Sequence, residues 1–100
     1  MSLPLTNLQK RHLRGMTHRL KPVVMVGQHG LREAVIDEIE LALTAHELVK
    51  IKIAADRDAR DEIAAEILAR TGAEAIQSIG QMRVIFRRNT EQPRIALPSG

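Results

Sequence analysis

The run Pro22-Val-Val-Met-Val26 is wholly apolar and stops at Gly27, and Gly27-Gln-His-Gly30 leads at once into a stretch with a different period. The short β-branched run reads as a buried strand. After it, Leu31, Val35, Ile39, Ala42 and Leu43 recur at helical spacing, with the acidic residues on the other face. A strand that passes to an amphipathic helix through so short a turn needs a sheet beside it and a face for the helix to cover. That requirement restricts the chain to an α/β arrangement.

The flanking segments fill in the rest. Thr6-Asn-Leu-Gln9 has the form of a capping box, so a helix is expected to follow it. Leu8, Leu13 and Met16 are expected on its inner side, with Lys10, Arg11 and Arg14 pointing outward, and it must end before Pro22. From Leu48 to Ala54 the pattern alternates: Val49, Ile51 and Ile53 share one face, Lys50 and Lys52 the other, as in a half-buried strand. Asp56 suits the N-cap of a third helix whose stripe is Ile63, Ala64, Ile67 and Leu68, and Gly72 suits its end. Ala75 to Ile79 and Met82 to Arg87 read as a hairpin turning at Gly80-Gln81. The predicted order is α-β-α-β-α-β-β: a compact two-layer α/β sandwich with a four-stranded mixed sheet. Residues 5–88 form its core, and 89–100 form a tail in which Arg94 to Leu97 could add an edge strand.

A chain of 100 residues holds one domain of this kind. Phe86 is its sole aromatic residue, so the core must be aliphatic. There is no cysteine, which removes disulfides, thiolate metal sites and cysteine nucleophiles and agrees with a reducing compartment. No stretch is long and apolar enough to span a bilayer, and the opening residues lack the apolar centre of a secretory signal. A soluble, cytoplasmic protein is expected, with nothing that demands more than a monomer.

The net charge is only +3, but it is segregated. Up to Arg32 the chain carries Lys10, Arg11, Arg14, Arg19, Lys21 and Arg32 and no acidic residue. Glu33, Asp37, Glu38, Glu40 and Glu47 follow without a Lys or Arg among them. Beyond Met82, Arg83, Arg87, Arg88 and Arg94 face Glu91 alone. A polyanion responds to such a positive face rather than to the net charge.

The Gly27-x-x-Gly30 turn gives this charge a focus. Glycine at both ends permits positive φ and close approach of a ligand. The turn opens into a helix N-terminus, where unpaired N–H groups and the helix dipole favour an anion. Gln28 and His29 add donors, Arg32 stands one turn on, and Lys21 precedes the strand. Such a cradle suits phosphate. Two glycines at this spacing are weak by themselves, because any tight strand-to-helix turn calls for them.

Several segments taken together resemble a known family. Leu20-Lys-Pro-Val-Val-Met-Val-Gly-Gln-His-Gly-Leu31 is similar to the signature of the CRM domain, named for chloroplast RNA splicing and ribosome maturation. Gln9-Lys-Arg-His-Leu-Arg-Gly15, His46-Glu-Leu-Val-Lys-Ile-Lys52, Thr71-Gly-Ala73 and Gln77-Ser-Ile-Gly80 match the same pattern in order, from about Leu5 to Arg88. The likeness is strongest to the bacterial stand-alone, YhbY-type members. It implies a four-stranded α/β sandwich like the C-terminal domain of a translation initiation factor. It also implies RNA binding in which the G-x-x-G loop takes part, as in KH domains, and an association with large ribosomal subunit precursors. Gly27 and Gly30 are then the loop glycines, with Gln28 and His29 in the variable places. Many relatives carry a lysine or another polar residue there; here the charge would come from Arg32 or Lys21.

Other chemistries lack their parts. His12, His18, His29 and His46 have neither the spacing of a helical metal pair nor a carboxylate in a ligand pattern, so no metal or cofactor is expected. Asp56, Asp58, Asp61, Glu62 and Glu66 alternate with Arg57 and Arg60, as on a solvated helix face. No nucleophile elbow, Walker loop or dinucleotide fingerprint is present, which argues against an enzyme. Without aromatic platforms, recognition is expected to act through backbone and shape on structured RNA. The residues expected to contact RNA are Gly27, Gln28, His29, Gly30, Arg32, Lys21, Lys10, Arg11, Arg14 and Arg87, and the partner is large-subunit ribosomal RNA or its precursor, with ribosomal proteins as further partners. The alternative is a protein-interaction module that docks an assembly factor or ribosomal protein on the acidic helix face from Glu33 to Glu40.

Overall fold

The first helix, α1 (Asn7–Met16), begins where the sequence places its cap: the Gln9 N–H donates to Thr6 Oγ1 at 3.1 Å, and the Thr6 N–H donates to Gln9 Oε1 at 3.0 Å. The computed structural model describes residues 4–27 and 29–99. After α1 comes a single 3₁₀ turn (Thr17–Arg19), then β1 (Pro22–Val26), α2 (Glu33–His46), β2 (Leu48–Ile53), α3 (Arg57–Thr71), β3 (Glu74–Ile79) and β4 (Met82–Phe86). Asp56 caps α3 by accepting the Ala59 N–H at 2.9 Å. Gly72 ends α3 with φ 74°, and Gly80 turns the β3–β4 hairpin with φ 55°; both angles are easy for glycine and strained for other residues.

The sheet order is β1-β2-β4-β3. β1 and β2 are parallel and are joined across one face by α2, whereas β4 lies antiparallel to both β2 and β3. The alternation in β2 divides the molecule. Val49, Ile51 and Ile53 join Val24, Val26 and Ile85 beneath Ile39 and Leu43 of α2 and Ile67 of α3. On the other face Leu48, Ile76, Val84 and Phe86 pack around Leu13 of α1. The expected mixed four-stranded α/β fold is therefore present, with α2 and α3 on one side of the sheet.

Cover on the second face is incomplete. The 3₁₀ turn seals its middle: Lys50 Nζ donates to the Thr17 carbonyl at 3.0 Å, and the buried Thr17 hydroxyl lies 2.8 Å from the Arg14 carbonyl and 2.7 Å from the Gln77 amide. Beyond this point Val23, Met25 and Ile79 stay exposed.

Two local expectations fail. Leu8 points outward, because the inner line of α1 runs through Gln9, Leu13 and Met16, and Leu5, ahead of the helix, takes the inner place. Arg94 to Leu97 forms no strand; Ile95 and Leu97 instead pack against the Leu13 cluster, and Gln9 Nε2 donates to the Pro98 carbonyl at 3.0 Å. The tail is fastened by apolar contact and side-chain hydrogen bonds, so it has no need of a sheet edge.

Candidate nucleic-acid interface

The turn after β1 closes through a hydrogen bond from the Gly30 N–H to the Gly27 carbonyl at 3.1 Å. Its two glycines do different work. Gly30 has φ 74°, a left-handed conformation that disfavours a side chain. Gly27 lies outside that region, and a Cβ built on it would meet nothing within 4 Å. Its missing side chain is therefore not demanded by the fold and leaves clear space on the loop. His29 is exposed; Gln28 lies outside the described residues.

The loop leads to α2, whose N-cap is Arg32 in extended conformation with no side chain closing the first turn. Such a terminus keeps outward N–H groups and the positive end of the helix dipole available to an anion. Glu33, the acid of that first turn, is drawn aside by a hydrogen bond from Arg70 Nη2. This hydrogen bond, aided by the Glu33 charge, raises the Arg70 pKa further above its ordinary value.

The cations sort into tied and free. Among the described residues, Lys10 approaches Glu74 at 4.0 Å, Arg70 pairs with Glu33 and Glu66, Arg83 pairs with Asp61 and Arg87 pairs with Glu40. Arg11, Arg14, Arg19, Lys21 and Arg32 are exposed and enter none of these pairs. Arg87 is spent inside the fold: Nη1 reaches Glu40 at 2.7 Å and the Thr71 carbonyl at 2.9 Å, tying β4 to α2 and the end of α3.

The free cations are spread out. Arg32 stands beside the loop at one end of β1, while Arg19 and Lys21 stand at the other, roughly 17 Å away along five strand residues. Lys10, Arg11 and Arg14 lie on α1, which crosses the sheet at this second end, near the starts of β2 and β3. Loop and helix are thus separate points of one long surface. A cavity lined by Leu5, Gln9, Phe86, Arg88 and Leu97 lies between α1 and the tail, away from the loop. Among the described residues no three His, Asp or Glu side chains converge as a metal site would require, and no helix is long and apolar enough to cross a membrane.

In the sequence Glu47 is only the last member of an acidic run, yet it is fully buried with φ 63°. Its carboxylate accepts the backbone N–H groups of Asn89, Arg94 and Ile95 at 2.7, 2.6 and 2.8 Å. Nothing local distinguishes it, because its partners lie more than forty residues downstream.

The family model for the CRS1 / YhbY (CRM) domain matches residues 5–87, a span that holds the loop, the free cations and all four strands. The chain belongs to this family. A Haemophilus influenzae protein named "RNA-binding protein" is 45% identical over 95 residues, covering 94% of this chain and 95% of the relative. A Bacillus subtilis relative named "Probable RNA-binding protein" is 32% identical over 95 residues, covering 94% of this chain and 99% of the relative. The solution structure of a Staphylococcus aureus protein described as "a putative RNA binding protein" superposes with a TM-score of 0.80 at 35% identity, covering 95% of this chain and all of that one.

Proposed function

We propose that this CRM domain binds structured RNA, and that its target is large-subunit ribosomal RNA or its precursor during ribosome assembly. The reading has it act in the cytoplasm as a single-domain monomer with no catalytic step of its own. One observation carries it: an open glycine turn and an uncapped helix end stand beside Arg11, Arg14, Arg19, Lys21 and Arg32, which enter none of the ion pairs found among the described residues. Relatives named as RNA-binding proteins support the same reading. In it, Gly27 and Gly30 let a phosphate approach the backbone of the turn, and Gln28 and His29 add side-chain donors. Arg32 and Lys21 supply charge at the two ends of β1, and Lys10, Arg11 and Arg14 hold a neighbouring stretch of backbone. Arg87 contributes by fixing the sheet to its helices rather than by touching RNA.

The test is binding to large-subunit ribosomal RNA fragments across a salt series. Counterion release requires log K to fall by about 0.7 to 0.9 per log unit of salt for each phosphate held. A salt-independent affinity, or no affinity for any fragment, overturns the reading.

A second reading rests on Leu41, 73% exposed on α2 and close to Asp37 and Glu38. That face fits a basic protein such as a ribosomal protein or assembly factor. It predicts a pull-down that survives nuclease and is lost on reversing Asp37 and Glu38.

A further inference from the structure

The part of the sheet that α1 leaves open lies between the loop and the α1 end of the surface. Its register defines a row running straight across all four strands: Met25 beside Lys52, Lys52 beside Met82, Met82 beside Ile79. Met25 is 61% exposed and Ile79 62%. Next to this row, toward the 3₁₀ turn, Val23 is 53% exposed at the sheet edge. It lines a groove with Leu20, Arg19 and Lys21. A second groove runs between Ile79 and Met82 over Val84 and Gln77. The strip is largely apolar and crossed by a lysine, and the row contains no acidic residue.

Exposed apolar side chains in a row across a sheet carry a cost in water and mark a binding surface. Charge decides the occupant. Lys52 stands within the strip, Arg19 and Lys21 at one end, and Arg32 beside the glycine turn at the other. A partner that is negative along its backbone and apolar on flat faces fits this arrangement; a protein with an ordinary apolar patch gains nothing from the cations. From this geometry we infer that the strip receives the unpaired bases of a single-stranded RNA segment while its phosphates run between the loop and the α1 end. Methionine thioethers and aliphatic side chains take the part that aromatic rings play elsewhere, packing on base faces without reading their edges. The inference rests on the RNA-binding reading above and deepens it. It assigns the class of RNA: helical elements interrupted by an unpaired stretch, rather than continuous duplex.

Two measurements separate this inference from the reading beneath it. The first follows the methionine methyl resonances of the unmodified protein during titration with two hairpin RNAs, one fully paired and one carrying an unpaired bulge. Met25 and Met82 shift with the bulged hairpin and not with the paired one. The second compares wild type with Val23→Ser/Met25→Ser, whose positions are exposed and whose folding is checked by thermal melting. The variant loses roughly five- to tenfold in affinity for the bulged hairpin, keeps its affinity for the paired one and keeps its salt slope. Methyls that stay still and a variant that binds both hairpins like wild type overturn the strip while leaving RNA binding intact. No binding of wild type to either hairpin overturns the reading on which it rests. A variant that changes sedimentation but not RNA affinity makes the strip a protein contact and also overturns the inference.

Discussion

Glu47 Oε1 accepts the backbone N–H of Ile95 at 2.8 Å, joining the end of α2 to a residue forty-eight positions later. The same carboxylate holds Asn89 and Arg94, so a buried charge is satisfied wholly by backbone donors. Ile95 can then reach the Leu13 cluster.

Replacing Glu47 with Gln should therefore destabilise the fold by about 2–4 kcal/mol, since a buried carboxylate that accepts three backbone N–H groups becomes an amide with one accepting oxygen. Urea unfolding measures the loss. Limited trypsin digestion should cut the variant after Arg88 or Arg94 before any other site. Unchanged stability and an uncut tail would show the clamp to be idle.

The loop glycines should separate under mutation. Gly30→Ala places a side chain at φ 74° and should cost about 1 kcal/mol in stability. Gly27→Asp meets no obstacle, so the melting temperature should hold. Its carboxylate would still repel phosphate, and affinity for RNA should fall at least about tenfold. Equal RNA binding by folded Gly27→Asp would reduce the loop to a turn.

Arginines should divide by their partners. Arg11→Gln and Arg14→Gln should each flatten the salt dependence of RNA binding by about 0.7 to 0.9 of a slope unit with little change in melting. Arg87→Gln should do the reverse, lowering stability by about 1–3 kcal/mol as Glu40 and the Thr71 carbonyl lose a shared donor, with the slope unaltered. A slope change in the Arg87 variant would return that residue to the interface.

Leu13→Ala removes the side chain on which α1, β4 and the tail converge and should cost about 2–5 kcal/mol. Hydrogen exchange should show protection lost first in α1 and on the Phe86 face, while α2 and α3 keep theirs.

Features governed by near neighbours were legible in the sequence. The Thr6–Gln9 box, the Asp56 cap, the Gly72 and Gly80 turns and the alternation of Val49, Ile51 and Ile53 each depend on residues a few positions apart. The strand–turn–helix that places Gly27 and Gly30 at the surface is of the same kind. Leu8, Glu47 and the tail were not legible, because their environments are set by contacts between distant segments: which side of α1 meets the sheet, and where residues 89–97 return. The division of cations into tied and free was hidden for the same reason, since Arg87 and Glu40 meet only once β4 lies beside α2. The open row from Met25 to Ile79 needs the strand order, which no local pattern encodes.

That strand order also bears on how the chain is made. β4 is synthesised after both β2 and β3, yet it occupies the interior place between them. Until Phe86 has left the exit tunnel, β2 and β3 lack the strand that joins them, and their hydrogen-bonding edges stand open. The sheet therefore stays unfinished from the emergence of β2 until β4 arrives to close it. A stalled or truncated product that ends before β4 is therefore no smaller working domain but a sticky fragment, suited to degradation or to a chaperone.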